Sequence, residues 1–222
     1  FPNMPNFCTI RGDRIRFAIP YLDMCKKVLE LNPELLITGH FKPIEGKKLI
    51  HKEVTNLHDA VEYIHTKTVE GINVGKDMYE LMKEIVLPKE LSVGEGYGTV
   101  EWAIRSIFEG YTGWFRHNST TELYSYSPKS IFPELNDLID KEMALKMVKD
   151  LIDKNEYLKA IHISEIIISS DNNKEALKMY LKIHQILLKE SQKNSNRWIV
   201  KWLEFEIEKT KNKLNEEADS TT

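Results

Sequence analysis

A mostly α-helical fold, entered through a short segment of mixed α and β character, is the expectation from this sequence. Three observations carry it. From Lys47 to Leu214, apolar residues recur at helical spacing in one segment after another. Between those segments stand compact stops such as Asn73-Val74-Gly75 and Leu87-Pro88. Before residue 46 the pattern changes to short apolar runs that end at glycine.

The elements follow in order. Phe7 to Ile10 (FCTI) reads as a short strand ending at Arg11-Gly12. Ala18 to Leu31 carries Ile19, Leu22, Val28 and Leu29 at roughly helical spacing, and Pro33 stops it. Leu35-Leu36-Ile37 reads as a buried strand bounded by Gly39. Two short strands do not make a stable sheet alone, so this αβ unit is expected to complete a sheet supplied from before Phe1 or by another chain. Lys47 to Asn73 places Leu49, Ile50, Val54, Leu57, Val61, Ile64 and Val69 on one helical stripe. Further helices are expected over 77–86, 97–115, from Ser127-Pro128, and over 142–151, 156–168, 173–190 and 197–214. The pair NEYLKAIHISEIIISSDNNKEALKMYLKIHQIL has Ala160 and Ala176 where helices would approach closely, and it resembles a tetratricopeptide-type hairpin. Residues 215–222 read as a frayed polar tail.

Bulk properties exclude several function classes. The 222 residues suffice for one large domain or two small ones. With 31 basic and 34 acidic residues, no charge excess points to nucleic acid, and none is expected as a partner. No apolar run of about 18 residues is present, so no membrane-spanning helix is expected. Cys8 and Cys25 form neither a CxxC nor a disulfide framework. The opening FPNMPNFCTIRGDRIRF has no signal-peptide pattern and reads as a fragment that starts mid-domain.

Chemistry-bearing residues are few. His40 follows a strand at its C-terminal end, the edge of α/β sheets where ligands sit, and could offer its imidazole to a metal or a substrate. A backbone-bonded loop histidine is the alternative. Asn6 and Arg11 bracket the first strand, and the planar guanidinium suits an oxyanion such as sulfate, phosphate or carboxylate. Arg14 and Arg16 extend a small basic patch that could equally be a solvated loop. His51, His58 and His65 are spaced by seven, about 10.5 Å apart along a helix, so no two share a metal directly. GYGTVEWAIRSIFEGYTGWF (residues 96–115) is the most aromatic stretch, and could pack a core, wall an apolar pocket or form a dimer interface. No Walker-type phosphate loop, GxGxxG, GxSxG or HExxH occurs.

Taken in order, PNFCTIRGD, TGHFKPIEG, HDAVEYIHTKT, EIVLPKEL and YGTVEWAIRSIFEGYTGWF resemble the C-terminal half of the metallo-β-lactamase-fold alkyl and aryl sulfatases. The last helix, RWIVKWLEFEIEKTKNKL, looks like the tryptophan-led final helix of their dimerisation domain. The resemblance implies three parts: residues 1–46 as the end of a metallo-β-lactamase-like hydrolase domain, 47–214 as a helical alkyl sulfatase dimerisation domain, and 215–222 as a tail. It implies that His40 is the last ligand of a two-zinc site whose other ligands lie upstream. It implies that Asn6 and Arg11 hold the sulfate group, with Arg16 near the same pocket. In better-known alkyl sulfatases a His and a Tyr of the aromatic helix face the sulfate, and Trp102 and Trp114 stand at the matching positions here. Neither indole shuttles a proton at neutral pH.

The expectation is therefore the C-terminal part of a zinc-dependent sulfuric ester hydrolase, a homodimer acting on a small sulfate ester. The chain alone is expected to be inactive. A non-catalytic helical dimerisation or scaffold module with a degenerate hydrolase half is the alternative. A peptide-binding helical repeat is a weaker third, since one hairpin is short of the three or more repeats an array needs.

Overall fold

The computed structural model describes residues 3–10, 12, 14, 16–40, 42–116, 118–170, 173–194 and 196–219. Among these, nine α-helices (α1–α9) and two two-residue strands (β1, β2) are present, so the mostly α expectation is borne out. The chain divides into two compact units, Phe1–Arg116 and His117–Thr222.

In the first unit, α1 (Ala18–Leu31) ends at Asn32, whose left-handed conformation (φ 44°) lets its N–H donate to the Leu29 carbonyl. Leu35–Leu36 (β1) and Ile44–Glu45 (β2) pair antiparallel. α2 (Lys47–Asn73) enters through Gly46, held at φ 99°, a conformation that favours glycine. α3 (Met78–Glu84) starts at a reciprocal capping box between Asp77 and Glu80. α4 (Val100–Thr112) is capped by Thr99, whose hydroxyl accepts from the Trp102 N–H.

The main core of this unit gathers Met4 and Phe7 with Leu22 of α1, Val61 and Ile64 of α2, Leu81 of α3, and Ile104 and Ile107 of α4. Close approach is built in at two glycines. A Cβ on Gly71 would lie 2.3 Å from Leu81 Cδ2, and one on Gly98 would lie 2.3 Å from the Pro5 carbonyl oxygen.

Two expectations are corrected here. Residues 7–10 are a turn rather than a strand. Phe7 is buried in the helical core, where its ring meets Tyr21 edge-on, and Gly12 N–H closes back on the Thr9 carbonyl. The strand at Leu35-Leu36 is half of a small hairpin, not a buried sheet element: Leu35 is 49% and Ile37 73% exposed. Cys25 of α1 shares one buried cluster with Ile50 and Val54 of α2.

In the second unit, Ser127 caps a 3-10 turn (Pro128–Ile131) that leads into α5 (Phe132–Leu138). α6 (Lys141–Asp153) is capped by Asp140, whose carboxylate accepts from Met143 N–H. α7 (Tyr157–Ile167) and α8 (Lys174–Asn194) meet through Ala160 and Ala176, both fully buried. Two residues of the expected connecting turn, Asp171 and Asn172, lie outside the described residues. α9 (Arg197–Asp219) starts at Asn196, whose side chain accepts from the N–H groups of Trp198 and Ile199. The helix continues through Asp219, past the point where a polar tail was expected, since Glu216, Glu217 and Ala218 are all good helix formers.

Val148, Ile152, Ile167 and Ile183 complete the core of this unit. Between α8 and α9 runs a buried polar link, in which the Tyr180 hydroxyl donates to Glu206 Oε2 at 3.3 Å. Burial first, and then the Glu206 carboxylate, push the Tyr180 phenol well above its usual pKa.

Candidate functional site

The first residues of the described chain are pinned to the approach of α4. Met4 N–H donates to the Gly94 carbonyl at 2.6 Å, and Gly96 N–H donates to Asn3 Oδ1 at 3.2 Å. Gly98 lies directly under Pro5 because it has no side chain. Asn6 is thereby delivered beside the N-terminus of α4, from a part of the chain some ninety residues away. Arg16 completes the arrangement. Its Nη1 donates to the Asn6 carbonyl at 3.0 Å, and its own carbonyl accepts the Ser106 hydroxyl at 3.3 Å. Ser106 lies one turn after Trp102 on α4. Asn6, Arg16 and Ser106 of α4 thus belong to one neighbourhood.

The Asn6 side chain is placed in an unusual way. Its Oδ1 is shut off from solvent without a hydrogen-bond partner among the described residues, as is the Thr9 hydroxyl. An unsatisfied buried polar group costs about 1–3 kcal/mol. Beside Trp102, burial first and the Glu95 carboxylate second push the Glu101 carboxyl above its ordinary pKa. Glu95 Oε1 accepts from Val100 N–H, filling one of the open donors at the start of α4.

Arg11, the expected oxyanion holder, lies outside the described residues. Trp114 lies beyond the C-terminal end of α4, the end opposite to Trp102. It is 71% exposed and its ring packs against Phe115 at 5.7 Å between centroids. The segment carrying it is fixed by a charged clasp: Glu109 Oε1 takes both Arg105 Nε (3.2 Å) and Arg116 Nη2 (2.8 Å), while Arg116 Nη1 donates to the Tyr79 hydroxyl.

His40 occupies the exposed turn between β1 and β2, where the Thr38 hydroxyl donates to its carbonyl. Among the described residues, the group of His, Asp or Glu side chains that could hold a metal is His58, Asp59 and Glu62 on α2, and it does not include His40.

The His58 group escaped sequence reasoning that weighed only histidines seven apart. The usable signal was the carboxylate four residues on, Glu62, with Asp59 adjacent. Asp59 Oδ1 lies 2.9 Å from His58 Nδ1 and fixes the ring, and Nε2 is buried without a partner.

Residues 77–208, more than half of the chain, match the family model described as alkyl sulfatase dimerisation. A linear primary-alkylsulfatase of a Pseudomonas strain is 31% identical over 120 residues, covering 52% of this chain and 23% of the relative. A second Pseudomonas linear primary-alkylsulfatase is 23% identical over 181 residues, covering 78% of this chain and 27% of the relative. The chain therefore spans about a quarter of the length of these relatives. Among solved structures, the stereoselective inverting sec-alkylsulfatase Pisa1 from Pseudomonas sp. superposes with a TM-score of 0.81 at 21% identity, over 94% of this chain and 34% of that one. A double mutant of the same sulfatase gives 0.80 at 20% identity. At that identity the likeness speaks for the fold. Together with the sequence match through α3 to α9, it leads to one conclusion: the chain belongs to the alkyl sulfatase dimerisation family.

Proposed function

We propose that this chain is the C-terminal part of a zinc-dependent sulfuric ester hydrolase, whose helical domain pairs two subunits and walls the substrate pocket. The observation that carries the reading is the family match over residues 77–208. In this reading Asn6 and Arg11 receive the sulfate group of a small ester, Arg16 holds the Asn6 main chain in place, and Trp102 and Trp114 contribute apolar walls. His40 is one ligand of a zinc pair, with the remaining ligands supplied by sequence outside residues 1–222. Zinc would polarise the ester and activate water when bound. What this chain's own residues do is bind and orient. An amide and a guanidinium suit a tetrahedral oxyanion, and indole rings exclude water from the ester carbon. Residues 1–46 are the end of the hydrolase domain, and the α7–α8 hairpin is a tetratricopeptide-like packing device within the dimerisation domain.

The test is made on the complete protein, with sulfate release from a sulfuric ester and bound zinc measured in parallel. Arg11→Ala should lower turnover with zinc retained, and His40→Ala should lower zinc content. The 222-residue chain alone should release no sulfate. Unchanged turnover in Arg11→Ala would remove the oxyanion assignment. A complete protein that dimerises but cleaves no sulfuric ester would favour the scaffold reading.

A further inference from the structure

The first unit contains an apolar cup that none of the roles above uses. It lies between the start of α1, the middle of α2 and the C-terminal half of α4, with a volume of about 170 Å³. Phe17, Ala18 and Ile107 form carbon walls. Gly110 matters to its shape, because a Cβ there would come within 3.2 Å of the Phe17 ring and force it to shift. The polar feature of the rim is a pair: His65 Nε2 and the Tyr111 hydroxyl lie 2.8 Å apart.

We propose that this cup binds a single aromatic ring carrying one oxygen, a phenol-class group, with the ring against Phe17, Ala18 and Ile107 and the oxygen at the His65–Tyr111 pair. Size is the first argument. An apolar cavity of about 150 Å³ holds one benzene, so this cup is of a size to take one ring. Valence is the second. A neutral imidazole has one donor and one acceptor, and a phenol hydroxyl has one donor and two lone pairs. After they bond to each other, the Tyr111 oxygen keeps hydrogen-bonding capacity for a third group. Burial lowers the His65 pKa, outweighing the attraction of Glu62, which keeps the ring neutral near pH 7.

Position is the third argument. Phe17 follows Arg16, and Ile107 follows Ser106, so the cup adjoins the arm that holds Asn6. Its role as the seat of the aryl group of a sulfuric ester rests on the function proposed above, whereas binding of the ring does not.

Two-dimensional amide NMR on the purified 222-residue chain tests it, with benzene, phenol and phenyl sulfate as probes. Phenol should shift amides of residues 17–18 and 107–111. Tyr111→Phe, which keeps the ring and removes the oxygen, should weaken phenol roughly tenfold and leave benzene unchanged. Ala18→Leu, which fills the cup, should abolish both. No shift at those residues with any probe overturns the site, as does equal weakening of benzene and phenol by Tyr111→Phe. If Ala18→Leu disturbs the fold, the Tyr111→Phe comparison alone decides. Phenyl sulfate competing with phenol supports the seat for the ester, and phenyl sulfate binding elsewhere removes it while the phenol site stands. If the complete protein cleaves no sulfuric ester but phenol still binds here, the proposed function fails and the ring site survives.

Discussion

The two compact units solve the same packing problem in different ways. The second builds its core from helices that follow one another in sequence, with Ala160 and Ala176 at the close contact and isoleucines filling the layers. The first draws Met4 and Phe7 from one end of its sequence and Ile104 and Ile107 from the other, and closes the join with backbone hydrogen bonds under Gly98. A unit assembled from neighbours announces itself in periodicity. One assembled from remote pieces places residues together that no local pattern connects, and the candidate site lies in the second kind of join.

Core truncations break this comparison most directly. Ile64→Ala and Ile183→Ala each remove a fully buried side chain and should cost about 2–5 kcal/mol. Hydrogen exchange should show lost protection in α2 and α4 for the first and in α6 to α8 for the second. Protection lost evenly along the chain would mean that the two units unfold as one.

Gly98→Ala tests the remote join alone. Its Cβ has nowhere to go but into the Pro5 carbonyl, and the expected cost is about 1–3 kcal/mol, read by urea unfolding. Amides of residues 3–7 should shift while those of α7 and α8 stay in place. A neutral result would show that segment 3–6 contributes little to the first unit.

Helix caps give a matched pair. Thr99→Ala and Asp140→Ala each remove one cap bond, at the start of α4 and of α6, and each should cost about 1 kcal/mol. A much larger loss at Thr99 would show that the α4 terminus carries the join as well as the helix.

The pH dependence is smaller. His65 has a lowered pKa in the fold, through burial. Its contribution to stability is therefore complete above the unfolded imidazole value of about 6.5 and is lost as pH falls toward the folded value. Unfolding midpoints followed downward from neutral pH should decline, and His65→Gln should flatten part of that decline. The smallest effect is expected at the exposed Lys149–Glu175 pair between α6 and α8, where Lys149→Ala should change stability by less than about 1 kcal/mol.

These differences explain what could be read in advance. α1 and α2 fall where periodicity and their glycine and proline stops place them, because both bury one face over several turns. Phe7 to Ile10 misled, since four apolar or β-branched residues look alike whether a sheet or a helical core receives them, and here the core takes Phe7. Leu35 and Leu36 misled about burial, because apolar character does not reveal how many strands will cover a residue. A sulfate-holding role for Asn6 is a proposal that only the family resemblance suggested. Arg16 bonds the Asn6 carbonyl, Ser106 bonds Arg16 in turn, and Gly98 makes room for Pro5, none of which sequence spacing encodes. The His65–Tyr111 pair, 46 positions apart, is likewise a product of the fold.

The pairing of Asn3 with Gly94 has a practical side. Residue 3 is an address for protein engineering. A fluorophore or spin label attached there reports from the doorstep of α4, although its attachment point is numbered at the far end of the unit. A reporter pair across that contact would register loosening of the join before global unfolding sets in. It would follow in real time whether a sulfate ester, an arene or a second subunit tightens it.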